Sequence, residues 1–182
     1  MTATFLPIRG LRLGCTAAGI RYKGRNDLVA IALPPGATCA AVFTRTAFCA
    51  APVTVAREHL CRTAPRYLVV NSGNANAGTG DAGLAAARES CRLVAAAAGC
   101  APEQVLPFST GVIGEPLPVE RIGVAADALL ADLTEEGWER AADAIMTTDT
   151  VRKLVSREVA VEGGTVRVTG MAKGAGMICP DM

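Results

Sequence analysis

Four short stretches of the 182-residue sequence combine side chains and backbone that could do chemistry. The first is Phe108-Ser109-Thr110-Gly111-Val112-Ile113-Gly114. A hydroxyl residue followed by glycine leaves an O–H and a backbone N–H unshielded side by side, a donor pair suited to charge developing on a carbonyl oxygen. The same residue types also make an ordinary turn. The second is Asn71-Ser72-Gly73-Asn74-Ala75-Asn76-Ala77-Gly78-Thr79-Gly80, a loop of small residues leading from an apolar run into a helical pattern, as phosphate-cradling loops do. It has neither G-x-G-x-x-G nor G-x-x-x-x-G-K-[ST] spacing, so a close-packed strand-to-helix turn competes with a nucleotide cradle. Its asparagines could orient a substrate or a catalytic loop.

The third stretch, Met146-Thr147-Thr148-Asp149-Thr150, offers three hydroxyls and a carboxylate after a helical pattern. It reads equally as a substrate contact or as a polar helix terminator. The fourth is Lys173 in Lys173-Gly174-Ala175-Gly176, a flexible cation among residues that permit close approach. It suits a carboxylate-bearing ligand, although a surface lysine is ordinarily only solvated.

Other chemistries find little support. The seven cysteines include no C-x-x-C pair and the only histidine is His59, so zinc-ligand spacing is absent and no metal is expected. His59 falls in Ala56-Arg57-Glu58-His59-Leu60, read as a helix surface, and is assigned a structural role. No charged, apolar, small-residue leader is read at the N-terminus, where Pro7, Arg9 and Arg12 interrupt the early apolar residues. With the odd cysteine count, the expectation is a reduced, cytoplasmic protein whose thiols pack as small apolar groups. A formal charge of +1 and 4% aromatic residues exclude nucleic acid as an expected partner. No apolar run approaches the ~20 residues that span a bilayer, so no membrane partner is expected either.

The elements that must position these groups follow from periodicity. Residues 28–33 and 40–44 read as strands in an N-terminal region of short strands and turns, and 67–70 as a buried strand. Leu84, Ala87, Cys91, Val94, Ala95 and Ala98 recur at helical spacing over 81–98, with Thr79 or Asp81 at the start and Gly99 at the stop. A second helix runs from Pro118 through Leu129, and a third begins at Thr134-Glu135-Glu136 and carries Trp138, Ala142 and Ile145. Val159 and Val161, then Val166 and Val168, alternate with other residues around Gly163-Gly164, which predicts a hairpin. Strands before and after helices point to an α+β or layered α/β fold in one domain spanning 1–182.

Taken together, these stretches resemble the ornithine acetyltransferase family, also called glutamate N-acetyltransferase. The resemblance adds Ala17-Ala18-Gly19-Ile20, Arg25-Asn26-Asp27-Leu28, Ala37 through Thr44, Ala50-Ala51-Pro52-Val53 and Met171 through Met177, in the family's order. It covers essentially the whole chain. It implies an arginine-biosynthesis enzyme with an α/β layered sandwich of the self-processing N-terminal-nucleophile type, whose precursor breaks before a threonine. This sequence would then be the α chain, and the nucleophilic threonine would be the first residue of a β chain.

By that resemblance Thr110 and Gly111 form the oxyanion hole, while Thr147 and Lys173 bind substrate. The implied reaction carries acetyl from N2-acetyl-L-ornithine to L-glutamate in ping-pong fashion, with acetyl-CoA as a further donor in some members. No cofactor is implied, and the assembly would be α2β2 or larger. Gly78 stands where relatives often have cysteine and Thr46 where they often have asparagine. These departures leave open a paralogue with another acyl acceptor, or an aminopeptidase or amidase on the same scaffold.

Overall fold

A computed structural model describes residues 5–176 and Met182. Four strands form one sheet in the order β1-β2-β3-β4: β1 (Arg12–Thr16), β2 (Leu28–Ala32), β3 (Tyr67–Asn74) and β4 (Val105–Val112). The first two pairings are antiparallel and β3–β4 is parallel. The parallel pair is joined by a crossover through a helix, the connection that parallel strands require. The helices are α1 (Ala51–Arg62), α2 (Gly80–Ala98), α3 (Val119–Ala131) and α4 (Trp138–Ala144). A separate antiparallel hairpin, β5 (Lys153–Val161) and β6 (Gly164–Ala172), completes the described chain.

Period-2 alternation along the strands divides the core into two layers. Leu28, Ala30 and Ala32 of β2, with Tyr67 and Val69 of β3, face Val55 of α1, Val94 of α2 and Leu129 of α3. Leu13, Cys15, Val29 and Ile31 point the opposite way, toward Trp138 and Ala141 of α4 and toward Leu154 and Met171 of the hairpin. The sheet is therefore covered on both faces, as the expected layered α/β fold requires.

Helix α2 begins and ends as its pattern predicts, with Gly99 at φ +62 closing it. Helix α4 starts at Trp138, later than expected, because Thr134 is held by backbone bonds in both directions to Leu13. Residues 40–44 do not form the expected strand; they lie outside both sheets, and Val42 is 72% exposed. β-tolerant residues make a strand only where a sheet edge receives them. Strand β4, by contrast, includes Ser109, Thr110 and Gly111, so the turn reading of that stretch fails. The hairpin turn falls on Glu162 and Gly163, with Gly164 opening β6.

His59 is buried, not on a helix surface. Its Nδ1–H donates to the Val105 carbonyl at 2.8 Å, tying α1 to β4. Cys15 and Cys91 are buried as expected, but Cys39 and Cys61 are exposed, which corrects the reading of uniformly packed thiols. Desolvation pushes the Cys91 thiol up to about 12. Cys179 lies outside the described residues.

Candidate active site

The carboxyl ends of β3 and β4 are where an open α/β sheet offers a ligand site, and their local geometry departs from a regular ladder. Gly73 faces Gly111 in the parallel register, and the ladder bulges between Gly73 and Asn74. Gly73 has φ +122 and Gly111 φ +138, conformations natural only to glycine. A Cβ on Gly111 would lie 2.2 Å from the Gly73 carbonyl carbon, so this approach requires glycine at 111.

The asparagine-rich stretch supports that irregular end. Ser109 Oγ donates to Asn71 Oδ1 at 2.5 Å, and Asn71 Nδ2 donates to the Asn74 carbonyl at 2.8 Å. Asn74 Nδ2 reaches the carbonyls of Glu115 and Pro116, each at 3.1 Å, while its Oδ1 accepts from the Asn76 N–H at 2.7 Å. Asn76, fully buried with φ +46, donates from Nδ2 to the Gly83 carbonyl at 2.9 Å. These amides are spent on Ser109 and on the backbone of the surrounding loops, which makes the stretch a scaffold for the end of β4. The acidic Asp81 in the first turn of α2 also disfavours a phosphate there.

A second support holds the 146–150 segment beside the sheet. Ser72 Oγ donates to the Ala144 carbonyl at 2.6 Å, and Arg25 donates to the Met146 carbonyl at 2.7 Å. The first bond satisfies a carbonyl that the end of α4 leaves without a helical partner, and the second ties the chain just beyond the helix. Met146 is thereby held next to Thr147.

Three segments then converge on one cation. Lys173 Nζ donates to Thr110 Oγ1 at 2.9 Å and to Thr147 Oγ1 at 2.9 Å, partners 63 and 26 residues away. Lys173, Thr110 and Thr147 are half-buried and Gly111 is exposed. An ammonium has donors only, so both hydroxyl oxygens must accept and their protons are free to point elsewhere. Accepting a charge-assisted bond withdraws electron density from the hydroxyl and strengthens it as a donor in turn. The arrangement is a polarised O–H beside an exposed glycine, with one ammonium proton that has no acceptor among the described residues.

The structure thus brings Thr110, Gly111, Thr147 and Lys173 together. Thr148 and Thr150 are exposed, so of the three hydroxyls in their stretch only Thr147 joins the cluster. Reasoning from sequence noted Asp149 but missed its position: its shielded carboxylate accepts from the Gly174 N–H at 2.8 Å and from Lys153 Nζ at 2.5 Å. These bonds hold its carboxyl well below the usual carboxylate range. Among the described residues no His, Cys, Asp or Glu cluster could hold a metal, and no helix is long and apolar enough to cross a membrane.

With this geometry in view, comparison with known proteins gives a consistent picture. The pattern of the ArgJ family matches residues 12–182. The arginine biosynthesis bifunctional protein ArgJ of Methylococcus capsulatus is 59% identical over 176 residues, 97% of this chain and 43% of that protein. The protein of the same name from Pseudomonas fluorescens is 52% identical over 179 residues, 98% of this chain and 44% of its own length. The chain therefore spans less than half the length of these relatives. Among solved structures, ArgJ from Bacillus halodurans superposes with a TM-score of 0.87 at 36% identity, covering 100% of this chain and 99% of that one. Ornithine acetyltransferase from Mycobacterium tuberculosis, crystallised with ornithine, gives 0.89 at 36% identity, covering 98% and 95%.

Proposed function

The chain belongs to the ArgJ family, and from that premise we propose that it is the α chain of a self-cleaved acetyltransferase moving acetyl from N2-acetyl-L-ornithine to L-glutamate. The observation that carries the proposal is the Lys173 ammonium donating at once to Thr110 and Thr147.

The nucleophile belongs to a β chain whose first residue is threonine. Such a residue supplies a hydroxyl and, in its own α-amine with pKa near ~8, the base that accepts the hydroxyl proton. The Thr oxygen bonds to the acetyl carbon, and charge collects on the acetyl oxygen. Thr110 Oγ–H and the Gly111 N–H are the donors to that oxygen. When the C–N bond breaks, the β-chain amine returns its proton to the departing ornithine amine, leaving an acetyl ester. Glutamate repeats the sequence in reverse, so the same oxyanion site serves both half-reactions.

Lys173 has two tasks in this reading. Two of its protons polarise the hydroxyls of Thr110 and Thr147, and the third is available to the α-carboxylate of acetylornithine or glutamate. One cation then sets substrate orientation and donor strength together.

Two features support a second chain. The relatives continue for more than half their length beyond the matched part, whereas the crystallised chains are matched over 99% and 95% of theirs. The hairpin also leaves Val155, Val159, Val161, Val166 and Val168 between 47% and 56% exposed, and the β5–β6 register puts all five on one face. A two-stranded ribbon with an uncovered valine face is marginal alone, and an apolar patch of this kind suits a permanent partner.

The test is expression of the gene for the full-length protein, followed by N-terminal sequencing of the fragments and an assay of acetyl transfer from acetylornithine to glutamate. Two fragments, the second beginning with threonine, and transfer to glutamate faster than release to water are expected. An uncut polypeptide that still transfers acetyl contradicts the terminal nucleophile, and release to water alone favours an amidase.

A further inference from the structure

The Lys173 side chain is long and flexible, yet it meets two hydroxyls at 2.9 Å. Something must fix where its backbone starts. Asp149 lies two residues after Thr147, and its side chain is completely shielded from solvent. Its Oδ1 accepts from the N–H of Gly174, the residue after Lys173, and Oδ2 accepts from the N–H of Thr147 at 3.4 Å. The third donor is Lys153 Nζ on Oδ1, an i,i+4 ion pair whose lysine side chain is 43% exposed. A single carboxylate thus ties the backbone of Thr147, whose hydroxyl meets the ammonium, to that of Gly174, the neighbour of Lys173.

The residue type fits the task. All three partners are donors, and only a carboxylate offers acceptors on both side-chain oxygens. An asparagine would lose an acceptor and turn an N–H₂ toward a donor. Gly174 has φ +139, and no described residue comes within 4 Å of where its Cβ would stand, so conformation is what calls for glycine there.

We infer that Asp149 is a positioning residue that sets the reach of Lys173 by clamping the Thr147 and Gly174 backbones on one carboxylate. The inference rests on the reading of Thr110 and Lys173 given above. Asp149 touches neither substrate nor reacting atoms; it acts through Lys173.

The test uses the full-length, processed protein with Asp149→Asn, Asp149→Glu, Lys153→Met, Lys173→Ala and the double variant Asp149→Asn/Lys173→Ala. Asp149→Asn is expected to lower kcat/KM by about tenfold to a hundredfold, the range for a catalytic group displaced by an ångström or so. Asp149→Glu, which keeps both acceptors, should recover part of that loss. Lys153→Met leaves both backbone clamps and should stay within about twofold of wild type. In the Lys173→Ala background, Asp149→Asn should add almost nothing, because residues acting as a unit are non-additive. Full additivity, or unchanged kcat/KM for Asp149→Asn, overturns the inference. If Asp149→Asn fails to fold, a further variant, Asp149→Ser, which cannot accept from both backbones at once, takes its place, and an unchanged kcat/KM from it overturns the inference. The underlying reading is judged separately by Lys173→Ala alone: wild-type transfer from that variant defeats the reading itself.

Discussion

Gly73 and Gly111 meet across the parallel ladder at the end of the sheet, so close that a methyl group on Gly111 would overlap the Gly73 backbone. This contact, with both residues at positive φ, allows β4 to bring Thr110 toward the groups on the 146–150 segment while remaining paired to β3.

Gly111→Ala therefore combines a strained φ with a backbone overlap that no rotamer can relieve. It is expected to destabilise the protein by at least about 2 kcal/mol. Urea denaturation of the soluble variant checks this. A midpoint equal to that of wild type would show that the ladder end relaxes freely.

Lys173→Met keeps an unbranched apolar stem one atom shorter and removes all three donors. On the proposed reading, KM for acetylornithine rises and kcat falls, because the same ammonium holds a carboxylate and polarises Thr110. Steady-state kinetics with acetylornithine varied will separate the two effects. A change in KM alone would restrict Lys173 to binding.

The valine face gives a prediction about assembly. Replacing Val159 and Val166, which pair directly across the hairpin, with lysine forfeits about 1.5 kcal/mol or more of apolar burial each and places two like charges opposite one another. The two fragments should then fail to co-purify. Sedimentation showing an intact complex would mean that this face stays in water.

Cys91 supplies a pH dependence whose sign is fixed by burial. Its thiol is raised in the folded chain to about 12, whereas an unfolded cysteine ionises near ~8.5. Its contribution to stability is fully present below the unfolded value and is lost as pH rises toward the folded one. Stability of the wild type should fall on the alkaline side more steeply than that of Cys91→Ala, once their difference at neutral pH is subtracted. In thiol labelling at pH 8, the exposed Cys39 and Cys61 should react first and Cys91 last.

How much of this was legible in the sequence differs element by element. Helix α2 was, because apolar residues at helical spacing end at Gly99. The same periodicity could have found His59, which follows Pro52, Val55 and Ala56 on the buried face of α1. Strand β4 was hidden by Pro107, the two hydroxyl residues and Gly111, which locally describe a turn; only its pairing with β3 makes it a strand. Residues 40–44 erred the other way, with strand-like composition and no place in either sheet. At the site, residue types alone could not choose between polar turns and catalytic donors. What favours the proposed donor role is Lys173 reaching Thr110 and Thr147 across the fold, a long-range fact with no local signature. The position of Asp149 was missed for the same reason, since its partner Gly174 lies 25 residues away.

The central claim is that the Thr110 hydroxyl, polarised by Lys173, donates to the acetyl oxygen as charge develops there. Single-turnover acetylation of the processed full-length protein by acetylornithine measures that step directly. Thr110→Ala, shown by circular dichroism to keep the fold, should slow acetylation by about a hundredfold, roughly 3 kcal/mol of barrier, with substrate affinity little changed. Thr110→Ser should remain within about tenfold of wild type. Acetylation of Thr110→Ala at the wild-type rate would contradict the account.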